Sequence, residues 1–201
     1  MERTEALLLL QSLVGNNLHE LAKIHGVTVV STNGKVNKGW AGHVCERHLN
    51  LPINSAQSPN FGSWELKSIP LKRLSGGSLG FKETMAITMI DPVNVVKTPF
   101  SESHLLSKLK KAVLVARVVG DNYSEPTFIH SVTTIDLDGD VYDVVEQDYE
   151  LVRECIRRDG FSALTGSMGH YVQPRTKGAG HGSTSRAFYA RPRFLAEYIR
   201  L

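Results

Sequence analysis

Two apolar, β-branched runs in the middle of the chain most constrain what it can fold into. Residues 112–119 and 126–135 are rich in Val, Ile and Thr, and each ends in turn residues, which is typical of strands. The following segment, 144–158, carries apolar residues at helical spacing: Val145, Tyr149, Val152 and Ile156. Strands and a one-sided helix in the same chain predict an α/β or α+β protein with a central sheet.

The remaining segments are predicted to alternate between helices and strands. Further helices are expected near the N-terminus (7–14) and over 18–25, 38–49, 193–199 and a short stretch opened by 101–104. Further strands are expected over 63–69, 81–90, 169–174 and 186–190. The turn at 75–78 predicts that 63–69 and 81–90 form an antiparallel pair, and residues 138–140 are predicted to form a turn.

The composition is that of a globular chain with a substantial core. Of 201 residues, 41% are hydrophobic and 21% are charged, which excludes a wholly disordered, collagen-like or coiled-coil chain. The longest apolar runs, 6–10 and 112–116, are much shorter than the roughly 18 residues that a membrane span needs. Because two cysteines make no disulfide framework, we expect a cytoplasmic protein without a membrane partner.

Positive charge is concentrated at the C-terminal end. The whole chain has a net charge of +3, but residues 171–201 contain six basic residues and one acid. These basic residues flank a Gly-rich loop at 177–185, and such a combination is typical of a surface that contacts phosphates. Charge alone leaves a merely solvated basic face open as the alternative.

A carboxylate and a lysine share one face of the strand predicted at 63–69. Side chains alternate along a strand, so Glu65 and Lys67 project together. A carboxylate can hold a divalent metal there, while the ammonium group acts on water and on developing phosphate charge. The same pair on an exposed strand is often only solvated. Glu46, on the helix at 38–49, either adds a third polar group to this site or pairs with Arg47 or solvent.

Six segments, taken in chain order, resemble one family. They are Leu18-His19-Glu20-Leu21-Ala22, Lys38-Gly39-Trp40-x-Gly42…Glu46, Glu65-Leu66-Lys67-Ser68-Ile69-Pro70, Ser103-His104…Lys108-Leu109-Lys110, Tyr171-Val172-Gln173-Pro174-Arg175-Thr176-Lys177-Gly178 and Arg186-Ala187-Phe188-Tyr189. Together they resemble the MutH mismatch-repair endonucleases and their type II restriction relatives. The resemblance implies a restriction-endonuclease-like α/β fold, with a central mixed sheet flanked by helices and two lobes around a DNA cleft. It also implies a single domain over 1–201, with a catalytic lobe at roughly 1–110 and a DNA-reading lobe that includes roughly 165–201.

The resemblance also implies roles for individual residues. The catalytic set is Asn60, Glu65, Lys67, Glu46 and Lys108. The metal set, for Mg²⁺ with Mn²⁺ as a substitute, is Asn60, Glu65 and Leu66. The DNA-binding set is Arg175, Lys177, Ser183, Ser185, Arg186 and Tyr189. Phe188 and Tyr189 lie where the family senses bases or adenine methylation.

One position departs from the family pattern. The family has an aspartate a few residues before the position of Glu65, and this chain has Asn60 five residues before it. Ser58, seven residues before, is the alternative alignment. Asparagine offers one neutral oxygen and cannot neutralise Mg²⁺, so we expect metal affinity and turnover to fall.

Other motifs are given simpler interpretations. Zinc needs about four convergent N or S ligands, and the sequence has no Cys-x-x-Cys or His-x-x-x-His spacing. Cys45 and Cys155 are expected to be buried apolar side chains rather than nucleophiles. The acidic run at 136–140 lacks the spacing of an EF-hand loop, and the Gly-rich segments at 76–80 and 178–182 match no nucleotide-binding motif.

The leading expectation is a type II restriction-like, site-specific, Mg²⁺-dependent endonuclease that cuts duplex DNA, leaves 5′-phosphate and 3′-hydroxyl ends, and is impaired by Asn60. We expect it to act as a monomer or loose dimer, with a cognate DNA methyltransferase as its partner. Two alternatives on the same resemblance are a MutH-like strand-nicking enzyme activated by a mismatch-repair ATPase, and a nuclease-dead, sequence-selective DNA-binding protein. A basic α/β protein unrelated to DNA is the third alternative.

Overall fold

The computed structural model describes residues 1–51, 62–178 and 184–201. Within these ranges the helices are α1 (Arg3–Gln11), α2 (Leu18–Ile24), α3 (Trp40–His48), α4 (Pro92–Lys97), α5 (His104–Leu109), α6 (Gly139–Asp159) and α7 (Pro192–Ala196). The strands are β1 (Glu65–Arg73), β2 (Leu79–Phe81), β3 (Met85–Met89), β4 (Lys111–Val118), β5 (Phe128–Asp136), β6 (Val172–Thr176) and β7 (Arg186–Ala190). No helix in the described part of the chain is both long and apolar enough to cross a membrane.

A four-stranded mixed sheet forms the centre of the structure, with strand order β2-β1-β4-β5. The β1 and β4 strands are parallel, whereas β2 and β5 pair antiparallel at the edges. Both central strands carry apolar side chains on both faces, as expected of strands covered on two sides. The prediction of a mixed α/β fold with a central mixed sheet flanked by helices is therefore confirmed.

The two faces of this sheet belong to separate hydrophobic clusters. One face, including Leu66, Val113 and Val115, packs against α1, α2 and α3. The opposite face, including Ile69 and Leu114, packs against α5, α6 and a second sheet. Since β1 contributes to both clusters, residues at its ends lie between the N-terminal helices and the rest of the molecule. The division into lobes at 1–110 and 165–201 remains a prediction.

The second sheet is antiparallel, with strand order β3-β7-β6. Its first strand shows that the prediction of one strand over 81–90 was wrong in part. Residues 79–81 pair with β1 around the turn at 74–78, as predicted, but Met85–Met89 pair with β7. The apolar pattern alone does not distinguish these partners, because either sheet buries such a strand.

Two helices differ from the sequence prediction. The turn predicted at 138–140 is the start of α6, because Val141 and Tyr142 extend the inward apolar stripe and pack against the core. The predicted inward positions of α6 are confirmed as buried: Val145, Tyr149, Val152 and Ile156. Helix α4 was missed, although Asp91 caps it by accepting from the backbone N–H groups of the second and third residues after it, the usual role of Asp before a helical Pro.

Candidate functional site

Glu65, the first residue of β1, is only 1% exposed and lies between two lysines. The Nζ of Lys67 is 2.8 Å from Oε1 of Glu65, and the Nζ of Lys108 is 3.0 Å from Oε2. The Lys108 side chain is 5% exposed and that of Lys67 is 21% exposed. The structure thus brings together three residues of the predicted catalytic set.

Strand alternation and topology together produce this arrangement. Glu65 and Lys67 share a strand face, as the sequence predicts. Lys108 lies on α5, which is capped by Ser103 through its Oγ and the N–H of Leu106. Because β4 begins at Lys111 directly after α5, and Ala112 is in register with Glu65, the end of α5 lies at the same edge of the sheet as Glu65.

Glu46 is a buried residue of α3, and its Oε2 has no hydrogen-bond partner among the residues that the structure describes. Burial raises the pKa of Glu46, the negative charge of Glu65 raises it further, and the ammonium group of Lys67 lowers it. Glu46 is therefore near enough to Glu65 and Lys67 to be influenced by their charges, and we call these residues the Glu65 cluster: Glu46, Glu65, Lys67 and Lys108. Its burial contradicts the alternative of a solvated Glu46, and no ion pair with Arg47 forms within the described part of the chain.

The Glu65 cluster has the donor chemistry that a hard divalent cation prefers. Its two carboxylates supply oxygen ligands, and the partnerless oxygen of Glu46 is an acceptor that gains from a cation. Leu66 packs its side chain among the N-terminal helices, so only its backbone carbonyl could serve as a ligand. Asn60 lies outside the described residues, as does the alternative Ser58. Within the described ranges no three His, Cys, Asp or Glu side chains converge on one metal position.

Most of the predicted DNA-binding residues lie on the exposed side of β6 and β7. The Nη1 of Arg175 donates to Oγ1 of Thr84 at 2.9 Å, and its guanidinium is 5.7 Å from the ring centroid of Tyr189. Lys177 and Ser185 are exposed and continue the β6–β7 ladder, with the N–H of Lys177 donating to the carbonyl of Ser185 at 2.8 Å.

Arg186 and Ser183 were also predicted to bind DNA. The guanidinium of Arg186 lies against the Phe161 ring and donates to the carbonyl of Ser162, at the edge of the same strand pair. Ser183 lies outside the described residues.

The prediction that Phe188 senses bases is wrong, because Phe188 is 1% exposed and its ring packs against Tyr149 in the core. Its neighbour Tyr189 points to the opposite face of β7.

The sequence analysis missed Asp148, a buried residue on the inner face of α6. Its carboxylate accepts hydrogen bonds from the backbone N–H groups of His170, Tyr171 and Val172 at 2.6–2.7 Å. Asp148 therefore fixes the start of β6, and through it the strand that carries Arg175. The sequence feature that could have identified Asp148 is its charge at a position three residues after Val145, on the stripe of α6 predicted to face inward.

The cysteines are buried, as predicted. Burial raises the pKa of Cys45 to about 12, so its thiol is not ionised at neutral pH and is a poor nucleophile.

Comparison with known proteins identifies similarity over most of the chain. A family model described as MutH, DNA mismatch repair enzyme MutH, matches residues 49–153, just over half of the chain. The DNA mismatch repair protein MutH of Vibrio campbellii is 29% identical over 182 residues, covering 89% of this chain and 78% of the relative. The type II restriction enzyme Sau3AI of Staphylococcus aureus is 25% identical over 177 residues, which cover 82% of this chain but only 36% of Sau3AI.

A solved structure also matches the chain at a low level. The complex of restriction endonuclease MvaI with its cognate DNA aligns with 98% of this chain at 11% sequence identity and a TM-score of 0.39. A match at this level supports no conclusion about fold or function.

Proposed function

This chain belongs to the MutH family, and we propose that it is a metal-dependent DNA endonuclease that hydrolyses phosphodiester bonds in duplex DNA at a specific site. The observation that carries the proposal is the Glu65 cluster, in which a buried carboxylate lies between two lysines and beside a second buried carboxylate. Family membership supports nuclease chemistry at this position, since the relatives include a restriction enzyme and DNA mismatch repair proteins.

We propose that Glu46 and Glu65 hold Mg²⁺, with Mn²⁺ as a substitute, together with the backbone carbonyl of Leu66 and the side chain at position 60. When bound, the ion supplies Lewis-acid activation of water and offsets phosphate charge. The fit rests on the oxygen donors and on the partnerless Oε2 of Glu46.

Lys67 and Lys108 are proposed to balance the charge of Glu65 and to stabilise the reacting phosphate. Their ammonium groups balance the buried charge of Glu65, and the same two groups can stabilise charge that develops on a phosphate at this site. Lys67 is the more exposed of the two, so we assign it to the attacking water and Lys108 to the phosphate.

The exposed side of β6 and β7 is proposed to contact the duplex. Arg175 and Lys177 on that side, and Arg186 at the edge of the strand pair, supply positive charge for phosphates, and Ser185 and Tyr189 supply polar and aromatic groups. Ser183, which lies outside the described residues, is proposed as a further DNA-binding residue. Arg175 is held by Thr84 and Tyr189, so its guanidinium can meet a phosphate or base edge with little further loss of rotamer freedom.

We also propose that Asn60 impairs cleavage. An asparagine lowers the negative charge available to a divalent cation by one unit relative to the aspartate of the family pattern, and Mg²⁺ sites in proteins depend on carboxylate charge. The proposal is tested by digesting plasmid DNA in Mg²⁺ or Mn²⁺ with the unmodified chain and with Asn60→Asp.

We expect Asn60→Asp to cut faster than the unmodified chain and at one repeated sequence, found by sequencing the fragment ends. Methylated and unmethylated plasmids test for the methyl sensitivity that a partner methyltransferase would require. Asn33→Asp is the matched control, because it adds the same charge at an exposed position distant in sequence from the Glu65 cluster. No cleavage by either chain, with duplex binding retained, contradicts an endonuclease that acts without a partner. It favours either a nuclease that requires a partner ATPase or a DNA-binding protein without nuclease activity, and addition of a mismatch-repair ATPase separates these two.

A second candidate is a MutH-like enzyme that nicks one strand and requires a mismatch-repair ATPase. It is favoured by the extent of similarity, since the matched region is 78% of the Vibrio MutH protein and 36% of Sau3AI. The first candidate is favoured by the sequences at 173–178 and 180–182, which resemble the restriction members more than the MutH proteins. Supercoiled plasmid separates the two: nicked circles formed only with a partner ATPase support the MutH-like enzyme, and linear product without it supports the restriction-like enzyme.

A further inference from the structure

A second polar pocket lies at the opposite end of the central strands from Glu65. It is bounded by the carboxyl ends of β1 and β4 and has a volume of about 110 Å³, well above the roughly 10–15 Å³ that a water molecule requires. We call it the carboxyl-end pocket. Its lining includes His19, Trp40, Pro70, Lys82, Arg117 and Thr127. Pro70 is in register with Arg117 and lies five residues along β1 from Glu65, which is roughly 17 Å in a strand.

Arg117 is the unusual residue of this pocket. It follows Val113 and Val115 on the inward face of β4, and both valines are fully buried. Its Nε donates to Oγ of Ser68 at 3.0 Å, and its guanidinium is 5.7 Å from the Trp40 ring centroid. Among the described residues, no carboxylate oxygen lies within ion-pair distance of this guanidinium.

Arg117 is half-buried, and the resulting partial loss of hydration is a cost that a bound anion would offset. Burial lowers the pKa of Arg117, and the negative charge of Glu83 only partly opposes that effect. A desolvated cation without an ion pair is unfavourable. A bulge in the β4–β5 pairing next to Arg117 is of the kind that redirects side chains near binding sites.

The rest of the pocket is suited to hold an anion near this guanidinium. The ammonium group of Lys82 lines the same space and donates to the carbonyl of Gly120 at 3.3 Å. Glu83 and Asp121 also line it from exposed positions, where their carboxylates can turn to solvent when an anion enters. The carboxyl ends of parallel strands are where open α/β sheets commonly bind ligands.

We propose that the carboxyl-end pocket binds a phosphate group through Arg117 and Lys82. A guanidinium donates two parallel hydrogen bonds to an oxyanion and an ammonium group adds a point charge, so together they match the several oxygens of a phosphate better than the two of a carboxylate. The phosphate is either free inorganic phosphate or a backbone phosphate of DNA. The site is separate from the Glu65 cluster and does not depend on the endonuclease proposal.

Isothermal titration of the whole chain with inorganic phosphate tests this site. We expect saturable binding to the unmodified chain, weakened about tenfold or more by Arg117→Met, which keeps most of the side-chain volume but removes the charge-assisted hydrogen bonds. Phosphate should also raise the Tm of the unmodified chain and not that of Arg117→Met. The control is Arg153→Met, because Arg153 is an arginine of α6 already paired with Glu150. Acetate is the carboxylate control and should bind more weakly than phosphate.

A second variant keeps the test decisive if Arg117→Met does not fold. Lys82 is exposed, so Lys82→Met should fold normally and bind phosphate several-fold more weakly. Duplex binding measured by fluorescence anisotropy identifies the source of the phosphate. If the variants bind duplex DNA more weakly, the pocket binds a backbone phosphate of DNA. If they lose phosphate binding but bind duplex DNA as before, the pocket binds free phosphate. Absence of saturable phosphate binding by the unmodified chain, or equal binding by the variants, overturns the proposal.

Discussion

Glu65 and Asp148 are both buried carboxylates, but the molecule compensates their charges in different ways. Asp148 accepts three hydrogen bonds from the backbone N–H groups of 170–172. Glu65 instead pairs with the side chains of Lys67 and Lys108. Backbone amides are fixed by the fold, whereas ammonium groups end flexible side chains that can change partners.

This difference separates a structural carboxylate from a reactive one. The oxygens of Asp148 cannot leave their amide donors without unravelling the start of β6, so they are not available to a ligand. The oxygens of Glu65 can exchange an ammonium partner for another cation at a smaller cost to the fold. Burial alone therefore does not identify a functional carboxylate in this protein; the identity of its partners does.

The largest expected effect is from Asp148→Asn. The substitution removes the charge that three backbone N–H groups share and replaces one acceptor oxygen by a donor, while the N–H of Val172 stays buried, so we expect a loss of about 4 kcal/mol of folding free energy. Urea denaturation followed by circular dichroism measures this loss. A loss below about 1 kcal/mol would contradict the structural role of Asp148.

Glu65→Gln should destabilise the fold less than Asp148→Asn does, but it should reduce cleavage more. It leaves two ammonium groups without their carboxylate: Lys67 is partly exposed and can turn to solvent, whereas Lys108 stays buried. We therefore expect a loss of about 3 kcal/mol. In the Asn60→Asp background, cleavage should fall at least about a hundredfold, because a metal ligand is lost. Urea denaturation and plasmid digestion measure the two effects. Unchanged cleavage would remove Glu65 from the active site.

Arg175→Gln tests whether the strand fixed by Asp148 presents a contact surface. We expect duplex affinity to fall about tenfold and the slope of log affinity against log salt to fall by about one, since one phosphate contact is lost. Stability should stay within about 0.5 kcal/mol, because Arg175 is exposed. Fluorescence anisotropy at several salt concentrations measures the slope. The control is Lys23→Gln, which removes one exposed charge from α2.

The smallest expected effect is a pH-dependent change in Tm from Glu46→Gln. Burial raises the folded-state pKa of Glu46 above its ordinary 4.5, so the wild-type carboxyl contributes stability at low pH that is lost as pH rises through the raised value. The variant should therefore have the higher Tm at pH 7, with the difference vanishing below about pH 4.5.

Scanning fluorimetry across this pH range checks the prediction for Glu46, and Mg²⁺ or Mn²⁺ at pH 7 should narrow the difference by stabilising the wild type. A Tm difference that is constant with pH would show that Glu46 is not the group responsible.

Much of the secondary structure follows from local patterns in the sequence. Helical spacing predicts the buried face of α6, and β-branched composition predicts β4 and β5, because periodicity reflects which side of an element meets the core. Strand alternation also places Glu65 beside Lys67. Patterns of this kind do not specify partners, which is why the segment at 81–90 was assigned to one strand although it divides between two sheets.

The placement of the site depended on contacts between residues far apart in the chain. Lys108 meets Glu65 from 43 positions away, and the family resemblance, not the local pattern, predicted that both belong to one site. Local sequence does not distinguish Phe188 in the core from Tyr189 on the opposite face, because that choice depends on which side of β7 the helix α6 covers.

The sequence by itself determined most of the helices and strands, the acid–lysine pair of β1 and the basic C-terminal end, since each of these depends on residues within a few positions of one another. Only the tertiary structure decided that Asp148 holds the start of β6, that Glu46 is buried within reach of the charges of Glu65 and Lys67, and that Arg117 lies half-buried near the Trp40 ring. The physical reason is that burial and charge compensation depend on neighbours in space, and strand pairing and helix packing bring those neighbours together across the whole chain.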